Sequence, residues 1–126
     1  MEQPRPREVH RCFAEDCEFN VPRRPGTGRA AVGAWWDLNA TAFGPGHVRV
    51  KMLIESGETV VLEAVHEATH TGPLTVIGRP GEIPATGKTF VLPYVSLYTV
   101  RDGLIVSGRN YWDGLESLNQ LGQTPA

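Results

Sequence analysis

Apolar residues recur along this chain first at helical and then at strand spacing, and these two periods predict its elements. Three apolar residues with the spacing of one helical face predict a short first helix over residues 8–14, behind two prolines that prevent an earlier start. A brief strand is predicted over residues 18–21. Residues 23–28 are rich in Pro and Gly, which predicts a turn.

A longer amphipathic helix is predicted over Arg29–Phe43, where apolar side chains recur at three- and four-residue intervals, and Gly44-Pro45-Gly46 ends it. Beyond this stop the period becomes two. Strands are predicted over residues 47–54, 59–71, 89–100 and 104–112, joined into two hairpins by tight turns at residues 56–58 and 101–103. A long loop is predicted over residues 72–87 and a short last helix over residues 115–121.

The order of these elements predicts the fold class. Strands cluster rather than alternate with helices, so we expect an α+β protein and not a parallel nucleotide-binding sheet. No Gly-rich phosphate-binding motif is present in the sequence. The length of 126 residues is typical of one domain, and no linker divides it. A single domain over residues 1–126 is therefore expected.

Charge and composition limit the classes of partner that we expect. The net charge is −2 and the Lys and Arg residues are scattered, so nucleic acid is not an expected partner. The sequence has no apolar stretch of membrane-spanning length and no apolar signal core, which predicts a cytoplasmic protein with no membrane partner. Cys12 and Cys17 lack a CxxC pattern and are expected to be free thiols.

The predicted strand over residues 59–71 has one face without charge. Successive strand side chains point to opposite faces, and its even-numbered positions are apolar apart from His66 and His70. The odd-numbered positions include two glutamates, so that face is expected to be half solvated. The even positions of the last strand are uncharged, and Asn110 is their one polar member. With both even faces turned inward, Asn110 joins the two histidines around one pocket.

Several segments together resemble the SnoaL-like branch of the nuclear-transport-factor-2-like superfamily. They are EDCEF at residues 15–19, ATHTGP at 68–73, IPATGK at 83–88, the DG turn at 102–103, YWD at 111–113 and NQLG at 119–122. The resemblance covers most of the chain in the expected order. It implies a cone of curved antiparallel or mixed sheet, packed with helices around a deep apolar pocket, and often a dimer.

The superfamily includes polyketide cyclases, ketosteroid isomerases, limonene-type epoxide hydrolases, dehydratases and proteins without catalysis, so the fold alone does not define a function. The run RNYWD at residues 109–113 is similar to the last-strand motif of the limonene-type hydrolases. Those enzymes use an Asp–Arg–Asp cluster. Here Asn110 stands where their aspartate would, and Ala64 and His66 stand where their Arg and second Asp would. The predicted first helix is also shorter than in the family.

Four residues are candidates for catalysis. His70 lies in a family-like segment on the uncharged face, where desolvation favours a neutral imidazole that can take a proton at pH 7; alternatively, it hydrogen-bonds the following loop. His66 is the second candidate. Asn110 can donate its amide hydrogens to an oxyanion or enolate, or be a buried amide satisfied by its neighbours. Asp113 is a candidate base, and with Glu116 it also forms a capping box for the last helix.

Candidates for substrate binding are the pocket-wall residues Trp36, Ala64, Ala68, Tyr98 and Trp112, whose aromatic members would suit a flat, polycyclic ligand. A metal site shared by the two histidines is not expected, because four residues along a strand separate them by about 13 Å. No cofactor is expected.

The leading hypothesis is a cofactor-independent enzyme of the polyketide-cyclase or isomerase type, as in natural-product biosynthesis. It would act on an apolar, carbonyl-bearing small molecule by proton transfer, with His70 or His66 moving the proton and Asn110 stabilising the developing oxygen charge. The alternatives are an epoxide hydrolase with altered catalytic residues and a non-catalytic protein that binds a hydrophobic ligand.

A homodimer is expected through the outer surface of the sheet. Val61, Val65 and Ile105, together with Val95 and Leu97, make that surface more apolar than a monomer needs.

Overall fold

The computed structural model describes residues 10–21, 24–76 and 80–123, which form a large sheet, a small sheet and two α-helices. The large sheet contains β1 (Phe13–Val21), β2 (Arg24–Thr27), β3 (His47–Ser56), β4 (Thr59–Thr69), β7 (Thr89–Arg101) and β8 (Leu104–Trp112). The small sheet contains β5 (Leu74–Thr75) and β6 (Glu82–Ile83). The helices are α1 (Arg29–Phe43) and α2 (Gly114–Gln120).

The large sheet is mixed, with strand order β2-β1-β8-β7-β4-β3. β1 and β8 are parallel, with Phe19 opposite Gly108, and every other neighbouring pair is antiparallel. The sheet is curved and stays open, with β2 and β3 at its two edges. The predicted α+β class with a curved, mixed sheet is therefore confirmed.

The predicted N-terminal helix is wrong beyond its first turn. A short 3-10 turn spans His10–Cys12 and β1 begins at Phe13; residues 8 and 9 lie outside the described part of the chain. Phe13, Cys17 and Phe19 are at most 3% exposed, whereas the acidic residues between them are exposed. The few apolar residues that fit a helical face are thus the start of a longer strand pattern, which parallel pairing with β8 stabilises.

The predicted turn over residues 23–28 is mostly strand β2, which pairs antiparallel with the end of β1. Residues 22 and 23 lie outside the described residues. β2 is an edge strand, the position at which a sheet tolerates Pro and Gly.

The other predicted elements are confirmed, with shifts of a few residues at some ends. α1 has the predicted bounds, and Gly44 ends it with φ of 62°. The predicted hairpins are β3–β4 and β7–β8. The second turns at Asp102-Gly103, where both residues have positive φ, the conformation that an Asp-Gly pair favours.

The predicted long loop is anchored to α1 and contains the small sheet. Ile83 of β6 is 4% exposed. The Gly72 N–H donates to the carbonyl of Ala42 at 3.1 Å, and a Cβ on Gly72 would lie 2.0 Å from the carbonyl oxygen of Thr41. Only glycine can make this approach to the end of α1.

Two groups of buried apolar residues form the core. The first cluster is centred on β1 and α1, and the second lies where α2 meets β4 and β7. Gln120 fixes α2 to the sheet, because its Oε1 accepts from the Val91 N–H at 2.7 Å and its Nε2 donates to the Val91 carbonyl at 2.9 Å. The buried residues are Phe13, Ala14, Cys17, Phe19 and Val32 in the first cluster and Ala68, Phe90 and Leu121 in the second.

Candidate functional site

The strand registers gather most of the predicted site residues on one face of the large sheet, here called the inner face. Trp35 and Phe43 of α1 pack against this face. The even-numbered positions of β4 share it with those of β8 from Gly108 to Trp112, as their parity predicts. A register shift inverts the parity earlier in β8, so Ile105, expected on the outer surface, lies opposite Val100 and packs against the first core cluster. Its rows across β4, β7 and β8 are Val60–Tyr98–Gly108, Leu62–Ser96–Asn110 and Ala64–Tyr94–Trp112, followed by His66–Leu92 and Ala68–Phe90 across β4 and β7.

Asn110 is held by a residue that lies directly opposite it. Ser96 of β7 is fully buried, Asn110 is 7% exposed, and the Ser96 hydroxyl donates a hydrogen bond to Oδ1 of Asn110. The Nδ2 atom of Asn110 is buried and has no hydrogen-bond partner among the described residues. Leaving a buried donor unpaired costs about 1–3 kcal/mol. The fold therefore buries an amide donor that no described residue pairs.

Aromatic rings surround this part of the inner face. The ring of Trp35 lies 5.5 Å from that of Phe19, 6.2 Å from that of Trp112 and 5.3 Å from that of Trp36. The predicted pocket residue Trp36 therefore reaches the inner-face aromatics through Trp35, which contacts them directly. Trp112 follows Asn110 on the same face of β8 and is half-buried.

Tyr98 packs across a glycine in the same region. A Cβ on Gly108 would lie 3.1 Å from the Tyr98 ring, so the glycine lets the ring lie over β8. Burial raises the pKa of the Tyr98 phenol, and the nearby Ser96 hydroxyl lowers it by a smaller amount. Tyr98 is therefore a protonated phenol at neutral pH.

His66 lies between two phenylalanine rings and has no hydrogen-bond partner among the described residues. Its ring is 6.4 Å from that of Phe43 and 5.3 Å from that of Phe90, in edge-on geometry. Burial lowers the pKa of the imidazole, which favours the neutral form at pH 7. His66 is half-buried, so its neutral ring is still partly accessible to solvent.

His70 is fully buried, and its Nδ1 atom is occupied. The Thr86 N–H donates to Nδ1 at 3.2 Å, and the Thr86 hydroxyl, which accepts from the Lys88 N–H, lies 3.0 Å from the same atom. A backbone N–H can only donate, so Nδ1 is the acceptor and the proton of the neutral ring sits on Nε2. Nε2 is buried without a partner among the described residues.

The geometry of His70 thus favours a structural role, in which the side chain holds the following loop, and not the role of a catalytic base. The one nitrogen that could accept a proton, Nδ1, is already hydrogen-bonded to Thr86. Two backbone hydrogen bonds also join His70 to this loop. The His70 N–H donates to the Lys88 carbonyl at 2.8 Å, and the Gly87 N–H donates to the His70 carbonyl at 2.9 Å.

The inner face does not bring His70 and Asn110 together. Asn110 lies in one row with Leu62 of β4, and His70 is eight positions further along the chain, about 26 Å at strand spacing. His66 is four positions from Leu62, about 13 Å along the strand. Parity places these residues on one face but carries no information on their separation. Buried Ala64 and Ala68 lie on the β4 positions that flank His66.

Tyr94 lies between His66 and Asn110 in the register of the sheet. It lies opposite Ala64 on one side and Trp112 on the other, so both His66 and Asn110 are its diagonal neighbours, at about 7–8 Å between backbone positions. Burial, with a smaller effect of nearby Tyr98, raises the pKa of the Tyr94 phenol, so it is a hydrogen-bond donor at neutral pH.

Asp113 is an exposed helix cap rather than a member of the site. Its Oδ1 accepts from the Glu116 N–H at 3.0 Å, which begins α2 as the capping-box pattern predicts. The Glu116 carboxylate accepts from Gln120 at 3.3 Å. The carboxylate of Asp113 is therefore used at the end of the sheet and does not reach into the inner face.

A cleft of about 500 Å³ lies at the C-terminal end of β4, between the turn after α1 and the beginning of β7. Of the predicted site residues it includes only Ala68. Its lining is otherwise Phe43, Gly44, Pro45, Gly46, His47, Glu67, Thr69, Thr71 and Thr89.

Three further features bear on the chemistry. Within the described ranges no three His, Cys, Asp or Glu side chains converge as metal ligands would. Cys12 is an exposed free thiol and Cys17 a buried one, and burial raises the pKa of Cys17. No described helix has both the length and the apolar character that crossing a membrane requires.

Ser96 and Tyr94 were not among the residues predicted from the sequence. A single serine or tyrosine in a strand carries no motif, and their place beside Asn110 depends on the register between β7 and β8. The even parity that they share with Tyr98 in β7 is the signal that could have identified them.

The sequence matches the SnoaL-like domain family over residues 1–108, so this chain belongs to that family. Asn110 and Trp112 lie beyond the matched residues. A search of curated proteins returned no match.

Solved structures with the same fold include polyketide cyclase candidates. One is a SnoaL-like candidate from Jannaschia sp. CCS1, with a TM-score of 0.81, 22% identity, and coverage of 94% of this chain and 80% of that one. Another is IdmH from Streptomyces antibioticus, with a TM-score of 0.70, 25% identity, and coverage of 89% and 83%. A further structure is that of a hypothetical protein with a ketosteroid isomerase-like fold from Catenulispora acidiphila, in complex with trimethylamine, with a TM-score of 0.74, 22% identity, and coverage of 98% and 85%.

Proposed function

We propose that this protein is a cofactor-independent enzyme of the cyclase or isomerase type that acts on an apolar, carbonyl-bearing small molecule. The observation that carries the proposal is the buried amide of Asn110, whose Oδ1 is bonded to Ser96 while Nδ2 has no partner among the described residues. A carbonyl oxygen is the group that this donor would bind. The SnoaL-like family and its polyketide-cyclase relatives support the same class of substrate.

His66 is the proton carrier in this proposal. A general base needs a free nitrogen and a neutral ring at working pH, and His66 has both, whereas Nδ1 of His70 is bonded to Thr86. Tyr94 lies nearer to His66 than Asn110 does and would donate its phenol hydrogen to the oxygen on which charge develops. Asn110 would then hold a second oxygen and orient the molecule.

The separation of these groups sets the shape of the substrate. His66 and Asn110 lie two strands and four residues apart, about 16 Å between backbone positions on a flat sheet and less between side-chain tips on a curved one. An elongated molecule with more than one carbonyl spans such a distance, and the aromatic rings around Trp35 suit a flat body.

The second candidate is a protein that binds such a molecule without changing it. The distance between His66 and Asn110 favours this candidate, because a shorter ligand held by Asn110 would not reach the imidazole. The epoxide hydrolase has less support. Such an enzyme needs a carboxylate that holds water, and Asp113 caps α2 at the surface.

The test begins with the ligand that co-purifies with the protein, identified by native mass spectrometry. Turnover of that molecule or its analogues is then measured for wild-type, His66→Gln and Asn110→Leu protein. We expect His66→Gln to reduce kcat by a factor of about 10²–10⁴ with little change in affinity, and Asn110→Leu to weaken binding. His47→Gln is the matched control, an exposed histidine in the neighbouring strand. Binding without turnover in the wild type would favour the second candidate.

A further inference from the structure

The Asn110 amide has one hydrogen-bond partner among the described residues, the Ser96 hydroxyl. Ser96 lies directly opposite Asn110 in the β7–β8 register, and both are buried on the inner face. A side-chain amide has an acceptor end and a donor end, which exchange places when the amide rotates by half a turn. Because the Ser96 hydroxyl donates to Oδ1, the donor end is turned away from Ser96.

The surroundings give the amide little other support. Nδ2 has no partner in the described part of the chain, and the neighbouring positions on the inner face of β8 are Gly108 and Trp112, neither of which offers a hydrogen-bond acceptor in its side chain. With Ser96 removed, neither Gly108 nor Trp112 has an acceptor that would favour one orientation of the amide over the other.

We propose that Ser96 is a positioning residue that makes this site selective for a hydrogen-bond acceptor carried on a flat aromatic body, such as an aromatic ketone or quinone. Ser96 acts through Asn110, which presents Nδ2 to the ligand oxygen. Trp112 and Trp35, whose rings lie 6.2 Å apart, supply the aromatic surface beside the amide. The proposal rests on the ligand site of the proposed function but not on catalysis there.

Three tricyclic probes of similar shape separate the hydrogen-bonding terms. Fluorenone carries an acceptor oxygen, carbazole carries a donor N–H, and fluorene carries neither. Affinities are measured by quenching of tryptophan fluorescence. We expect wild-type protein to bind fluorenone about tenfold more tightly than fluorene, the value of one net hydrogen bond, and to bind carbazole more weakly than fluorene.

The variants then test the role of Ser96. In Ser96→Ala we expect the preference for fluorenone over fluorene to fall to within about threefold and carbazole binding to improve, because the amide can rotate. Ser96→Thr keeps the hydroxyl and should restore the preference. Asn110→Asp removes the donor and should reverse it. The carbonyl stretching frequency of bound fluorenone reports the same hydrogen bond and should rise in Ser96→Ala.

A structural role alone would lower the melting temperature of Ser96→Ala without changing the ratio of probe affinities or the carbonyl frequency, and that result would overturn the proposal. Failure of all three probes to bind folded wild-type protein would overturn it as well. A wild-type protein that shows the expected preference but turns over no substrate would retain this inference while the proposed enzymatic function fails.

Discussion

A Cβ atom on Gly46 would lie 2.5 Å from Nε2 of His66. The turn after α1 therefore touches the imidazole that we propose as the proton carrier. Gly46 has φ of 59°, and Gly44, two residues earlier, has φ of 62° with no heavy atom within 4 Å of its Cβ position. Both glycines have a positive φ, which L-residues rarely adopt, but only Gly46 contacts His66.

This pair provides a matched test of the contact. We expect Gly44→Ala and Gly46→Ala each to lower the free energy of unfolding by at least about 1–2 kcal/mol, because both place a Cβ at positive φ. Gly46→Ala should lower it further, because its Cβ would also displace His66. Only Gly46→Ala should also move the NMR signals of the His66 ring and its titration. Equal changes of those signals in Gly44→Ala would mean that backbone strain, and not the contact, governs His66.

The lowered pKa of His66 predicts how stability depends on pH. The unfolded chain takes up this proton near the ordinary histidine value of about 6.5, and the folded protein takes it up only at lower pH. The stability that depends on neutral His66 is therefore fully present above about pH 6.5, and it is lost as the pH falls from there towards the pKa of His66 in the folded protein. Urea unfolding should show a steeper loss for wild-type than for His66→Gln protein over this range. His47→Gln should follow the wild type, and parallel curves for all three proteins would contradict the desolvation of His66.

His70 and Thr86 should behave as a coupled structural pair. We expect His70→Gln to lower the free energy of unfolding by about 1–3 kcal/mol, Thr86→Val by about 1 kcal/mol, and the double variant by less than the sum, since both remove the same interaction. Denaturant titrations of the four proteins measure the coupling. Turnover per folded molecule should stay within threefold in His70→Gln. A loss of a hundredfold or more would instead identify His70 as the proton carrier.

The expected homodimer can be tested with two neighbouring residues of β3 that face opposite ways. Ile54 lies opposite Val61 on the outer face and is 48% exposed, and Leu53 lies opposite Leu62 on the inner face and is 62% exposed. Sedimentation velocity should show a dimer for the wild type and for Leu53→Lys, and a monomer for Ile54→Lys, because a buried unpaired charge opposes association through the outer face. A monomeric wild type would make the prediction wrong.

Long periodic segments allowed much of the fold to be predicted from the sequence. α1 and β8 have the predicted bounds, because each carries one period over many residues. The strand predicted over residues 18–21 is the C-terminal part of β1. The N-terminal part was missed because Cys12 and Phe13 fit a helical face as well as a strand, and only the partner strand β8 decides between them. A local pattern cannot include a partner that is distant in sequence.

The site was predictable to a smaller extent for the same reason. Parity correctly placed Asn110 and His66 on one face, but their separation depends on the register of β7 between them. The hydrogen bond to Oδ1 of Asn110 comes from Ser96, and the hydrogen bond that occupies Nδ1 of His70 comes from Thr86. Each of these contacts joins residues that no short motif connects.

The parallel pairing of β1 with β8 affects how the protein folds during translation. Phe13 and Phe19 of the first cluster are synthesised before β8, the strand that pairs beside them and begins at Leu104. Until β8 has been synthesised, these aromatic residues lack their neighbour in the sheet and are exposed to chaperones or to other nascent chains. Completion of the sheet is therefore a late event that depends on the C-terminal part of the chain.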